Sequence, residues 1–121
     1  MKKLDIILKG GLKSCCSTYS AADMKRYTKS WFDNLTDVEY NVIDIDYDEY
    51  DTGPLADLAY KYFGNQIFPL VYLNGQLMSI GMFPNQDECL QIIENPTVIT
   101  KEDIEEAAKR YNELKNRNYE K

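Results

Sequence analysis

Two adjacent cysteines, Cys15 and Cys16, are the residues whose type and spacing best fit chemistry in this sequence. A thiolate is both a nucleophile and a soft ligand, so the pair could exchange with another thiol or capture a soft ion. Adjacent Cα atoms stand about 3.8 Å apart across a trans peptide, short of the ~4.4–6.8 Å usual in a disulfide. A bond between these two would be strained and easily reduced, and a bridging metal or metalloid suits them better. Two thiolates leave most ions under-coordinated, so a second copy or a partner would have to complete the shell. Counting four residues from Cys15 reaches Thr18, and from Cys16 reaches Tyr19. Neither register supplies a second thiol for resolving a mixed disulfide, which leaves monothiol exchange with an external small thiol. The bland alternative is one cysteine buried as a small hydrophobe and the other incidental.

The sequence has no histidine. This excludes a Cys-His nucleophile pair, a His-ligated metal and imidazole acid–base work. Cys89, between Glu88 and Leu90, falls on the apolar face of an expected helix and reads as a core residue. The acidic run Asp44, Asp46, Asp48, Glu49 and Asp51 fails as a calcium loop. Glycine and glutamate would be needed where Glu49 and Leu55 stand, so it reads as a solvated strand end and loop. Of the ten tyrosines, Tyr40, Tyr62 and Tyr111 fall on expected core faces, and Tyr19 lies beside the thiols. A net charge of −6 over 121 residues argues against binding a nucleic-acid backbone. The apolar start of the chain is broken by Asp5 and ends at Lys9, too short for a signal-peptide core or a membrane span. The expectation is a cytoplasmic protein with no membrane partner, in which exposed cysteines point to redox or metal chemistry.

The elements that would position the thiols alternate. A first strand is expected over 3–9, then a loop at Gly10-Gly11 carrying the cysteines to the start of a helix over about 20–34. There a thiol would feel the helix dipole, with Cys15 favoured as the exposed group. Met24, Tyr27, Trp31 and Leu35 recur on one face of that helix. A second strand is expected over 39–46, and a second helix from Pro54 with Leu55, Leu58, Ala59, Tyr62 and Phe63 at helical spacing. Asn74-Gly75 between two apolar runs predicts a hairpin. A third helix is expected over 85–94, and a fourth from Thr100, capped by Thr100 with Asp103 three residues on, to about 117. The order β-α-β-α-β-β-α predicts an α/β fold with a four-stranded mixed sheet and helices on both faces. One domain spans 1–121, with its core at about 3–95 and a C-terminal helical extension.

Three features coincide in this plan: the cysteines after the first strand, Pro69 immediately before the third, and Gly81 after the fourth. The arrangement is similar to the thioredoxin-like proteins over roughly 3–95, and the resemblance implies a cis-proline at Pro69 facing the reactive thiol. Cys15-Cys16-Ser17-Thr18, together with the run from Phe68 through Gln76 and Gly81-Met82-Phe83-Pro84, more narrowly resembles the arsenical metallochaperone and repressor family (ArsD). That resemblance implies thiolate ligation of trivalent arsenic or antimony, with Cys15 and Cys16 as metal ligands. The third thiol of that family would fall at Ala21, and none of residues 17–22 is a cysteine.

The expected function is therefore thiol-based redox or thiol-ligand chemistry at Cys15, Cys16 and Pro69, with turnover left open. The fold requires no cofactor, and a thiol-bound metal or metalloid is the ligand in view. The expected partner is a protein or a small thiol, with a homodimer left open. The alternative is a binding or regulatory module on the same scaffold without catalysis.

Overall fold

The computed structural model describes residues 2–13 and 16–119, with burial defined as far as Glu113. The central strand β1 (Lys2–Leu8) carries Leu4, Ile6 and Leu8 on one side and Asp5 and Ile7 on the other, as strand periodicity requires. It is covered on both faces, so five consecutive residues from Leu4 are buried. A short ribbon, β2 (Leu12–Lys13) with β3 (Thr18–Tyr19), follows. Then come α1 (Ala21–Thr28), β4 (Val38–Asp44), α2 (Gly53–Phe63), β5 (Leu70–Leu73), β6 (Gln76–Ile80), α3 (Gln86–Glu94) and α4 (Lys101–Tyr119).

The sheet order is β4-β1-β5-β6, with β1 parallel to β4 and antiparallel to β5. β5 and β6 form the hairpin expected at Asn74-Gly75, where both residues take positive φ, as this tight turn demands. The four-stranded mixed sheet is therefore as expected. On one face Leu4, Ile6, Val42 and Val71 pack with Cys89 and Ile93 of α3 and with Met24 of α1. On the other, Ile7, Leu70 and Tyr72 pack with Ala56 and Ala59 of α2 and Ile104 of α4.

Local chemistry sets the helix ends. Asn85 and Glu88 form a reciprocal capping box on α3. The Thr100 hydroxyl accepts from Asp103 N–H at 3.2 Å while the Asp103 carboxylate accepts from Thr100 N–H at 3.0 Å.

Three expectations need correction. The first helix stops at Thr28 and continues only as a 3-10 turn over Lys29–Phe32. The Thr28 hydroxyl donates back to the Met24 carbonyl at 2.7 Å and lies 2.6 Å from the Tyr40 hydroxyl, which ties the last turn to β4. Tyr27, Tyr62 and Tyr111 are exposed, not core. The ribbon β2–β3 also interrupts what reads in the sequence as a loop running directly into α1.

Candidate functional site

The site begins where β1 ends. Gly10 and Gly11 both take positive φ, +67° and +77°, which glycine adopts without steric cost. A Cβ on Gly11 would lie 2.7 Å from the Tyr19 carbonyl oxygen and 2.9 Å from a Thr18 methyl. The ribbon can close on this spot only because no side chain is there. Beneath it lies Asp44, at the end of β4 and only 3% exposed. One Asp44 oxygen accepts from Gly11 N–H at 2.7 Å. The other accepts from Gly10 N–H at 3.2 Å and from Asp46 N–H at 2.9 Å. Three main-chain donors compensate the burial of this carboxylate, and they fix the turn that launches the ribbon. The expectation of a solvated acidic run therefore fails at Asp44, while Asp46, Asp48 and Glu49 are exposed as expected. The sequence signal for this clamp was the Gly10-Gly11 pair after the central strand, which needed an anchor in the neighbouring strand.

Cys16 sits in the connection between β2 and β3 and is exposed. Cys15 lies outside the described residues, as does the expectation that it is the more exposed thiol. α1 starts at Ala21, where the Ser20 hydroxyl caps it by accepting from Asp23 N–H at 3.1 Å. Strand β3 thus lies between Cys16 and α1 along the chain. Tyr19 is half-buried, its ring edge-on to Tyr27 at 6.0 Å between centroids.

Pro69 lies immediately before β5, and the Phe68–Pro69 bond is cis, as expected. Gly81 locks the far end of the hairpin against it, donating its N–H to the Pro69 carbonyl at 2.9 Å and to the Ile67 carbonyl at 2.7 Å. Pro69, Phe68 and Met82 share a cleft of about 510 Å³ with Gly11, Leu12 and Lys13 of the ribbon. Pro69 and the base of the cysteine-bearing ribbon are thus brought together. Cys16 is not among the described residues that line the cleft.

Charge at the mouth is partly spent internally. Lys9 Nζ donates to Asp46 at 2.8 Å, and this hydrogen bond raises the Lys9 pKa. Lys13, exposed, also faces the cleft.

The third thiol plays no part. Cys89 is fully buried in α3, and burial, with Glu88 adding to it, pushes its pKa up to about 12. It stays protonated and behaves as a small core hydrophobe, as expected. Among the described residues no group of three or more Cys, Asp or Glu is placed to hold a metal ion, and no helix is long and apolar enough to cross a membrane.

No family model matches the chain, and no curated protein matches it. Among solved structures, a Staphylococcus aureus protein of unknown function aligns with a TM-score of 0.48 at 16% identity. The alignment covers 78% of this chain and 91% of that one.

Proposed function

We propose that this chain is a thioredoxin-like protein whose vicinal cysteines, Cys15 and Cys16, form a soft-ligand and thiol-exchange site beside Pro69. The observation that carries the reading is the cleft itself: Pro69 on one wall, and on the other the base of a glycine-closed ribbon that holds Cys16 out to solvent. Sheet order β4-β1-β5-β6 with the cis bond before β5 supports the fold half of the proposal. Ligand capture is preferred to internal disulfide chemistry for two reasons. Neighbouring cysteines span too little distance for a relaxed S–S bond. The other cysteine is sealed in the core and cannot resolve a mixed disulfide. ArsD-like thiolate ligation of a trivalent metalloid is the narrower form of this proposal, with an incoming thiol or a second chain supplying the third ligand.

The test uses phenylarsine oxide, which condenses with two thiols to form two As–S bonds and release one water. One equivalent should protect both adjacent cysteines of the native protein from alkylation, with Cys89 unlabelled throughout. Cys15→Ser and Cys16→Ser should each weaken capture by at least about a hundredfold, since one As–S bond is lost from a chelate. Labelling of neither cysteine before unfolding, or equal capture by wild type and both variants, would overturn the proposal.

A further inference from the structure

The two borders of the sheet are not alike. At β6 the chain leading into α4 closes part of the edge, with Ile99 N–H donating to the Leu77 carbonyl at 3.0 Å. At β4 the parity of the ladder can be followed along the strand. Lys2 N–H donates to the Asp37 carbonyl at 2.7 Å, and Ile45 N–H donates to the Leu8 carbonyl at 2.9 Å, with the register unbroken from Lys2↔Val38 to Leu8↔Asp44. In a parallel ladder alternate residues face the neighbouring strand. The odd-numbered residues of β4 therefore bond to β1, and Val38, Tyr40 and Val42 turn their main-chain groups outward. Among the described residues nothing bonds to the outward N–H or C=O of Tyr40 or Val42. Soluble proteins usually blunt such an edge with proline, lysine, a bulge or extreme shortness. β4 runs for seven residues and contains no proline and no lysine.

Charge selects the occupant. The sequence has no Lys or Arg between Lys29 and Lys61. Asp33, Asp37 and Glu39 are exposed toward one end of β4, and Asp48 and Glu49 beyond the other, where Asp46 is already paired with Lys9. A second copy pairing antiparallel on this edge would bring one acidic end against the other, and like charges would oppose it. A strand with basic residues flanking a β-branched centre meets attraction at both ends and main-chain bonds between them. We propose that the outer edge of β4 accepts an extended, lysine- or arginine-bearing peptide segment by strand addition, with Tyr40 and Val42 supplying the main-chain pairing. The surface is independent of the thiols and of the cleft at Pro69.

The experiment titrates the full chain with a fluorescein-labelled peptide, KTKVTVKTK, at low salt. The controls are the same peptide N-methylated at both valines and its all-glutamate counterpart, ETEVTVETE. Saturable binding is expected, with amide exchange at Tyr40 and Val42 slowed in the complex. Neither control should bind. Glu39→Lys combined with Asp37→Lys should weaken binding by at least about tenfold while circular dichroism stays that of the wild type. Both substituted residues are exposed. Absence of binding, equal binding of the N-methylated peptide, protection at β6 instead, or self-association of the free chain through β4 would each overturn the proposal.

Discussion

Asp44 and Asp5 lie on neighbouring strands and are both almost wholly buried, yet among the described residues Asp44 accepts only from main-chain N–H groups while Asp5 accepts from side chains. Asp5 takes the Tyr50 hydroxyl at 2.9 Å and the Asn41 amide at 3.1 Å, with Lys3 Nζ at 3.9 Å. The Tyr50 ring lies tilted against Tyr72 at 5.3 Å between centroids, and the Tyr72 hydroxyl donates to the Thr52 carbonyl at 2.8 Å. Asp5 thus pins a loop from a distance through the tips of side chains. Asp44 instead dictates the backbone conformation of the turn it holds. A side-chain network can re-form with water or another rotamer, whereas three converging N–H groups have no second acceptor of that shape. The lesson concerns geometry: the carboxylate under the ribbon sets a position, and the carboxylate under Tyr50 supplies adhesion.

The difference should be largest on deletion of Asp44. Asp44→Ala leaves three main-chain donors without their acceptor, and a loss of ~3 kcal/mol is expected from hydrogen bonds to a charged group. Urea unfolding reads the loss. Hydrogen exchange should show the amides of Gly10 and Gly11 opening first, with those of β5 unchanged. Asp5→Asn should cost less and leave the Gly10 and Gly11 amides as protected as in the wild type. If both variants loosened the ribbon equally, the distinction between the two carboxylates would be lost.

A smaller effect is expected at Tyr50→Phe. Removing one hydroxyl from a carboxylate that keeps Asn41 should cost ~1–2 kcal/mol, visible as a shift in the urea midpoint with the slope unchanged. In the wild type, burial and then the Asp5 hydrogen bond raise the Tyr50 pKa. Its phenol should therefore resist titration in a spectrophotometric scan of the native protein.

The least change is expected with pH near neutrality and the most above it. Burial raises Cys89 from 9.0 to about 12 and Tyr40 from 10.0 to about 12. Both groups are neutral when protonated, so the unfolded chain loses protons first as pH rises. At alkaline pH the unfolded state thus binds fewer protons than the native state, and stability must fall. From these two groups the decline should run from about pH 8.5 to about 12. Cys89→Ser lowers stability throughout but should flatten that decline in a series of thermal melts, leaving the part due to tyrosines.

Much of this arrangement was written locally. Asn74-Gly75 and the Thr100–Asp103 pair each act within a few residues and formed where expected, and the Asn85–Glu88 box, equally local, starts the third helix within its expected span. The site was less legible because its determinants are distant from one another. Strands of two residues, Leu12–Lys13 and Thr18–Tyr19, are too short to show alternation. The burial of Asp44 depends on glycines more than thirty positions earlier in the chain. The first helix looked longer because Trp31 and Leu35 continue its apolar spacing, and they do pack on the core, although from a 3-10 turn and the residues after it. What ends the helix is a threonine answering to Tyr40.

The hairpin has one more property. Val71 pairs with Ser79 but Tyr72 pairs with Leu77, so Met78 is a supernumerary residue in β6. Leu77 and Met78 point to opposite cores, one under α4 and one under α3. Removing Met78 would leave a regular ladder from the Asn-Gly turn to Gly81 but would empty its place in the core under α3.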